Sequence, residues 1–418
     1  MPKPVQIPPP DLVLAIDLGA SKTKAIAQSY AKKDEPLLLC MEPEVADVSY
    51  DSLKDYEATK TGQTDPENTC WVGIGDEYHA VGFLAQHKYG GNSLLKELKY
   101  ACAIPKICGA LWVLKQKLKL ESKFSLALTV LLPPSEYQDK EALESKLKAA
   151  TSNFMTPTGE MKVKILLFEA KPEGAGMYLH RLAVLGAEIK QRTIAIAMIG
   201  YRNASVLLSV RGAVSPGLSS NFGLSWMVDA FVRRVSGLAK EDPRLVPAIV
   251  EAGPACCEEP LTRLVRKKSA LEIQAEATKM ALALKLSRDD YVRALVRWLS
   301  QQLPPETDEI IFCGGTAEYL QPELLHDYSH LCVIWNAGIE ISPQLDTAGM
   351  GSRIADVLAL YKAFSLIVNC LVIKKDGSPT NQNVTAIPRS LVTAAAQTNG
   401  CNDDQKKPKG FAEMPDKL

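Results

Sequence analysis

A five-residue apolar run, Leu12-Val13-Leu14-Ala15-Ile16, ends at Asp17-Leu18-Gly19 and is followed almost at once by a second strand-like stretch, Thr23 to Gln28. A continuous apolar run closed by a glycine turn reads as a buried strand entering a tight hairpin. The pattern returns twice. Ile194 to Ile199 runs into Gly200-Tyr201-Arg202-Asn203 and back out through Ser205 to Arg211, and Glu309 to Cys313 runs into Gly314-Gly315-Thr316. Strands that alternate in this way with helical stretches predict an α/β protein.

The stretches between the turns agree with that class. Trp71 to Phe83 alternates apolar and polar positions about Gly75-Asp76-Glu77, a hairpin signal. Gly90 to Lys119 reads as helical with interruptions, and Leu126 to Leu132 is another buried strand, stopped by Pro133-Pro134. Leu224, Met227, Val228, Phe231, Val232 and Val235 fall at helical spacing, and that helix ends at Gly237. Ser287-Arg288-Asp289-Asp290 resembles a capping box ahead of the stripe Val292, Leu295, Val296, Leu299 and Leu303, which Pro304-Pro305 ends. A flexible Pro-rich arm is expected over residues 1–10. A polar tail over 374–418 has too little apolar surface to fold alone and is expected to be disordered. With 418 residues, the chain is long enough for two or three lobes of roughly 150 residues each.

Charge and cysteine usage narrow the partners and the compartment. Lys and Arg number 48, as do Asp and Glu, so the net charge is zero and exerts no long-range pull toward nucleic acid or an acidic membrane. The longest nearly apolar stretches, such as Ala363 to Ile373, run about ten residues, short of the ~20 needed to cross a bilayer. No apolar core follows Lys3, so the amino terminus does not read as a secretory signal. Ten scattered cysteines without a CxxC pair read as reduced, buried thiols, and five histidines without HExxH give a structural zinc site little support. A cytoplasmic protein without direct nucleic-acid or membrane contact is expected.

Chemistry concentrates in the first turn, Asp17-Leu18-Gly19-Ala20-Ser21-Lys22-Thr23-Lys24. Gly19 allows close backbone approach, the turn amides and the Ser21 and Thr23 hydroxyls can donate to phosphate oxygens, and Lys24 adds a positive charge. Asp17, at the strand end, can hold Mg2+ through water, since magnesium keeps most of its hydration shell and takes one or two carboxylates. An ordinary hairpin explains the same residues equally well. Neither a Walker A loop nor a GxGxxG dinucleotide pattern is present.

The order of the three turns resembles the actin-like ATPase superfamily, which includes actin, sugar kinases and the chaperone ATPase domain. The resemblance implies a two-lobed α/β fold with a nucleotide cleft between the lobes. In it, Asp17, Gly19, Ser21, Thr23 and Lys24, with Gly200, Arg202 and Asn203, grip the phosphates and metal of ATP and Mg2+. Gly314, Gly315 and Thr316 pack against the adenosine. Lys171-Pro172-Glu173-Gly174-Ala175-Gly176-Met177-Tyr178 resembles the Pro-Glu segment before the second phosphate hairpin of ParM/StbA-type plasmid-segregation actins. By that resemblance Glu173 orients the attacking water or accepts its proton, although a Glu in a Pro/Gly loop is as readily solvated surface. Ser215-Pro216-Gly217 through Gly223-Leu224-Ser225-Trp226-Met227-Val228 resembles the entry to the second lobe, and Gln344-Leu345-Asp346-Thr347-Ala348-Gly349-Met350-Gly351 the return to the first. The resemblance covers about residues 11–365 and implies a first lobe over 11–214, a second over 215–335 and a return over 336–373.

One position departs from the family pattern. There the middle hairpin begins Asp-x-Gly-Gly-x-Thr, its Asp being the second metal-associated carboxylate, whereas this chain reads Met198-Ile199-Gly200-Tyr201-Arg202-Asn203. Met198 cannot bind magnesium, and Tyr201 removes the second glycine, which keeps the backbone further from the phosphates unless Arg202 or Asn203 reaches them. Asp17 is then the one acidic group expected beside the phosphates. The resemblance implies an ATP-binding ParM/StbA-like protein that self-associates into filaments and moves plasmid DNA through a separate DNA-binding adaptor, and the departure at Met198 implies slow or impaired ATP hydrolysis. Two other classes stay open: a small-molecule kinase of the same fold, for which no convincing Asp base is found, and a binding module that senses nucleotide without turning it over.

Overall fold

The computed structural model describes residues 6–32, 35–91, 102–215 and 217–372. Residues 1–5 of the expected arm, 92–101 of the expected Gly90 to Lys119 helical stretch, Pro216 of the expected lobe entry, and the expected tail lie outside the described residues.

Two mixed sheets organise the chain. In the first, β1 (Leu12–Leu18), β2 (Thr23–Ser29), β3 (Leu37–Met41), β4 (Val45–Asp47), β5 (Trp71–Ile74), β6 (Glu77–Val81), β7 (Lys123–Leu132), β8 (Phe154–Thr156) and β9 (Gly159–Pro172) take the order β3-β2-β1-β7-β9-β8-β5-β6-β4. The second consists of β10 (Thr193–Ile199), β11 (Ala204–Val210), β12 (Ala213–Val214), β13 (Leu218–Ser220), β14 (Glu309–Cys313) and β15 (Cys332–Trp335). Its order is β12-β11-β10-β14-β15, with β13 also paired to β11.

Both sheets follow one plan. Each contains an antiparallel hairpin, β1–β2 or β10–β11, whose first strand pairs in parallel with a later strand, β7 or β14. This pairing moves a boundary. The first lobe expected over 11–214 takes in Thr193 to Val210, yet those strands belong to the second sheet, because Ile194 to Met198 lie in parallel register with Glu309 to Cys313. The break between sheets falls between Pro172 and Thr193.

Helices flank the sheets and explain the strand patterns. α1 (Tyr50–Thr59) and α2 (Phe83–Lys88) share a small core with β5 and β6, while α3 (Ala103–Leu118) and α4 (Lys140–Ser152) cover one face of the central strands. α5 (Ala175–Leu185) packs on one face of β10 with Ile194 and Ile196. The other face, with Ala195, Ala197 and Ile199, shares a core with α6 (Leu224–Arg234), α7 (Leu245–Ala252), α8 (Glu258–Leu261), α9 (Ala270–Gln302), α10 (Gly315–Tyr319) and α11 (Gln321–Asp327). α12 (Ala355–Leu371) returns to the first sheet and meets Val13 and Ala15, while Leu12, Leu14, Ile16 and Leu18 face α3 and α4. β1 is thus buried on both faces, which is why it reads as a continuous apolar run rather than an alternation.

The helices α5 and α12 join the halves, α12 lying on the first sheet and α5 on the second. They approach so closely that a Cβ on Gly176 would sit 2.1 Å from the Asp356 carbonyl oxygen. From α5, Arg181 forks onto the fully buried Glu309 at the head of β14, at 2.6 and 2.7 Å.

Three other expectations are corrected. Ser287 does not start a helix, since α9 runs unbroken through it: Ser287 Oγ donates to the Ala283 carbonyl at 2.8 Å, and the buried Arg288 pairs with Glu323 at 2.7 and 2.9 Å. Gly351–Leu371, at 21 residues, is long and apolar enough by length and composition to cross a bilayer, whereas only runs of about ten were expected. In this fold α12, which forms most of that stretch, packs against β1, β2 and β7. Ile7, expected in a flexible arm, is buried in the α12 core, and its amide donates to the Leu371 carbonyl at 3.0 Å.

Candidate functional site

Asp17 and Lys24 stand directly opposite each other in the β1–β2 register, and Lys24 Nζ lies 2.6 Å from Asp17 Oδ2. Lys24 Nζ also donates to the Arg353 carbonyl at 3.0 Å. The expected phosphate cation therefore already has a carboxylate partner. Strand alternation sends the neighbouring residue to the other side. Thr23 is 2% exposed, its Oγ1 is buried without a hydrogen-bond partner, and it does not line the cleft. The expected phosphate contact from Thr23 is not available in this arrangement, because Lys24 and Thr23 cannot face the same way.

The middle hairpin is held from three sides. The Gly200 carbonyl accepts from Leu224 N at 3.1 Å and from Thr316 Oγ1 at 2.9 Å, and the Tyr201 carbonyl accepts from Ser225 N at 2.8 Å. Arg202 donates from Nε to Asn203 Oδ1 at 3.1 Å and from Nη2 to Glu136 Oε1 at 2.8 Å. Glu136, just beyond Pro133-Pro134, is 1% exposed. Arg202 was expected to reach phosphates and is instead engaged by this ion pair. Beneath the hairpin, Met198 Sδ lies 3.8 Å from Cys313 Sγ, so the wall here is sulfur rather than carboxylate.

The third turn closes onto the second. Gly314 has φ +95°, and a Cβ there would lie 2.5 Å from the Ile199 carbonyl oxygen, so only glycine permits this approach. Every expected site residue except Thr23 lines one cleft, which encloses about 1140 Å³ with its open mouth included, the scale of a small-molecule site. Leu224, Val246 and Val250 supply an apolar wall.

Two charged residues of the cleft lay outside the expectations. Asp356, on the first turn of α12, is 5% exposed and accepts from Gly174 N at 2.8 Å and from Met177 N at 3.3 Å. It thereby caps α5 from another helix and fixes the loop that carries Glu173. Burial pushes its carboxyl up from the ordinary 3.8 to about 7; the Gly174 and Met177 amides oppose that shift, and Asp17 and Glu173 add to it. Asp17 is therefore not the one acidic group here, since Glu173 and Asp356 line the same cleft. Arg353 sits beside Gly315 and reaches Ser21 Oγ with Nη2 at 3.4 Å. A lone acid in the apolar stretch Ile354-Ala355-Asp356-Val357-Leu358 was the available signal for Asp356.

No family model matches the chain, and no curated protein matches it in sequence. Solved structures do resemble it. A 15-stranded ParM filament from Clostridium botulinum matches at 13% identity with a TM-score of 0.56, over 85% of this chain and 99% of that one. Ta0583, an archaeal actin homologue, matches in its native form at 15% identity and a TM-score of 0.55, and in complex with ADP at 14% and 0.54. Each of these covers 85% of this chain and 99% of the archaeal one. At such identities the likeness establishes the two-lobed actin-like fold.

Proposed function

We propose that this chain is a cytoplasmic, ATP-binding actin homologue of the ParM kind that assembles into filaments and hydrolyses ATP slowly. One observation carries the reading. Three glycine turns far apart in sequence meet at one cleft, in a fold similar to that of a ParM filament and of an archaeal actin homologue solved with ADP.

The donor set of the cleft suits ATP with Mg2+. The turn from Gly19 to Ser21 offers amides and a hydroxyl to phosphate oxygens, Lys24 and Arg353 are cations in the same cleft, and Val246 and Val250 suit an apolar base. Among the described residues no group of three or more His, Cys, Asp or Glu side chains is arranged to hold a metal. Magnesium would rest mainly on water and phosphate, with Asp17 as the carboxylate that would hold it through water, and would neutralise charge on the phosphate oxygens. Glu173 is the residue to orient water. Met198 contributes no charge where the family pattern has a carboxylate, and losing one well-placed electrostatic contributor commonly costs ~10²–10³ in rate. We further propose that filaments act on plasmid DNA through an adaptor, in keeping with the net charge of zero.

Pelleting and negative-stain microscopy of the full chain with ATP, with ADP and without nucleotide test the reading, together with phosphate release. Filaments that need ATP, slow release, and a faster single turnover in Met198→Asp are expected. Brisk release that Met198→Asp does not accelerate would show that another residue fills the role. Met198 also favours a second reading, a nucleotide sensor, which tight ATP binding with neither filaments nor phosphate release would establish.

A further inference from the structure

Three cations line the cleft, and two of them are already balanced by carboxylates. Lys24 stands 2.6 Å from Asp17, and Arg202 stands 2.8 Å from Glu136. Among the described residues, no carboxylate is paired with Arg353, whose guanidinium contact is the Ser21 hydroxyl at 3.4 Å. Its position bridges two of the three turns. Its side chain runs alongside Gly315, where a Cβ would meet Arg353 Cγ and Cδ at 3.4 Å, and its tip reaches the first turn at Ser21. The backbone that carries it is fixed beforehand. Asp346 accepts from Met350 N and Gly351 N, both at 2.7 Å, and the Arg353 carbonyl takes a hydrogen bond from Lys24.

We infer that Arg353 is the residue that recognises the anionic phosphates of the nucleotide, a role expected of Lys24 and Arg202. This rests on the nucleotide reading above. An anion arriving between Ser21 and Gly315 meets a guanidinium whose charge no carboxylate already balances, and a planar fork suits two phosphate oxygens at once. At Lys24 or Arg202 the same anion has to compete with a carboxylate already in place. Arg353 also answers the departure at the middle hairpin, since it brings positive charge to the cleft from the return segment, where Tyr201 and Met198 offer none.

Calorimetry on the full chain with ATP and with inorganic tripolyphosphate, and nuclear magnetic resonance with adenosine, test the inference in the parent, Arg353→Ala and Arg353→Lys. The expected result is a ten- to hundredfold loss of ATP and tripolyphosphate affinity in Arg353→Ala, roughly the worth of a charge-assisted contact. Adenosine affinity should not change, and Arg353→Lys should recover part of the loss. If Arg353→Ala fails to fold, Arg353→Lys carries the test, with a severalfold loss confined to the phosphate-bearing ligands. Unchanged ATP affinity, or an equal loss for adenosine, would overturn the inference and leave the nucleotide reading intact. Arg353-dependent binding of tripolyphosphate without ATP binding would uphold the inference and overturn the nucleotide reading. A parent that binds neither overturns both.

Discussion

The two hairpins that face the cleft share a backbone plan and differ in how their cations are balanced. In β1–β2, Lys24 is met across the hairpin by Asp17, so the turn carries its own counter-charge. In β10–β11, Arg202 is met by Glu136, which lies 66 residues earlier and outside the second sheet. The first arrangement is local to one hairpin. The second exists only once both halves of the chain have docked, so it ties the middle hairpin to the first lobe. The surroundings diverge in the same sense: Asp17, Glu173 and Asp356 make an acidic wall, while beside the middle hairpin the cleft is lined by Met198, backed by the buried Cys313.

The largest expected effect comes from the acidic wall. Asp356 has its carboxyl raised from 3.8 to about 7, chiefly by burial, so the folded state keeps a proton that the unfolded state has released across that interval. A raised carboxyl stabilises the fold below the unfolded value and loses that contribution as pH climbs through the folded one. Stability should therefore fall between pH ~4 and ~7, at a slope approaching 1.4 kcal/mol per pH unit, and level off above. Urea unfolding across that range, in the parent and in Asp356→Asn, measures it. Other groups cancel in the difference, and identical slopes in the two proteins would show that Asp356 ionises normally.

A smaller effect sets the two ion pairs against each other. Glu136→Gln leaves a largely buried guanidinium without its carboxylate, and breaking a buried pair from one side costs about 3 kcal/mol. Asp17→Asn breaks a pair whose carboxylate is 15% exposed against 1% for Glu136 and whose lysine keeps the Arg353 carbonyl as an acceptor at 3.0 Å, so it should cost less, about 1 kcal/mol. Denaturant midpoints compare them. If Asp17→Asn proved the costlier, the docking of the middle hairpin would not depend on Glu136.

The same contrast marks how much could be read from sequence. All three strand–glycine turns were legible, because a buried strand closed by glycine is written in consecutive residues. What depends on distant pairing was not. Membership of Thr193 to Val210 in the second sheet follows from parallel register with Glu309 to Cys313, more than a hundred residues on. Asp356 emerges as an α5 cap only when α12 folds back over it. Thr23 was misassigned for a different reason. Its hydroxyl belongs to a suggestive motif, but the two-residue period of a strand forbids it and Lys24 from sharing a face. Ser287 carried a cap-like pattern that the continuous course of α9 overrides, its hydroxyl satisfied by the carbonyl one turn earlier.

The finest comparison is between the turn glycines themselves. At Gly19 a Cβ would lie 2.6 Å from the Lys22 carbonyl oxygen, inside any tolerable contact, whereas at Gly200 the nearest atom is the Asn203 carbonyl oxygen at 3.5 Å, an ordinary separation. Neither glycine has the left-handed backbone that would strain a substituted residue, so space alone decides. The first turn has little room to relax. Lys22 is anchored to Glu42 at 2.6 Å, and Lys24, two residues on, is pinned to Asp17, so the carbonyl between them is fixed from both sides. Gly19→Ala should then cost about 1–3 kcal/mol, the usual range for forcing a methyl group into a packed site. Gly200→Ala should stay within ~0.5 kcal/mol, as a substitution that meets only an ordinary contact does. Chemical denaturation of the two single variants decides the matter. If Gly200→Ala were the more damaging, the tight backbone would lie in the middle hairpin after all, and Tyr201 would have to be reread as a residue that the turn accommodates rather than one that holds it open.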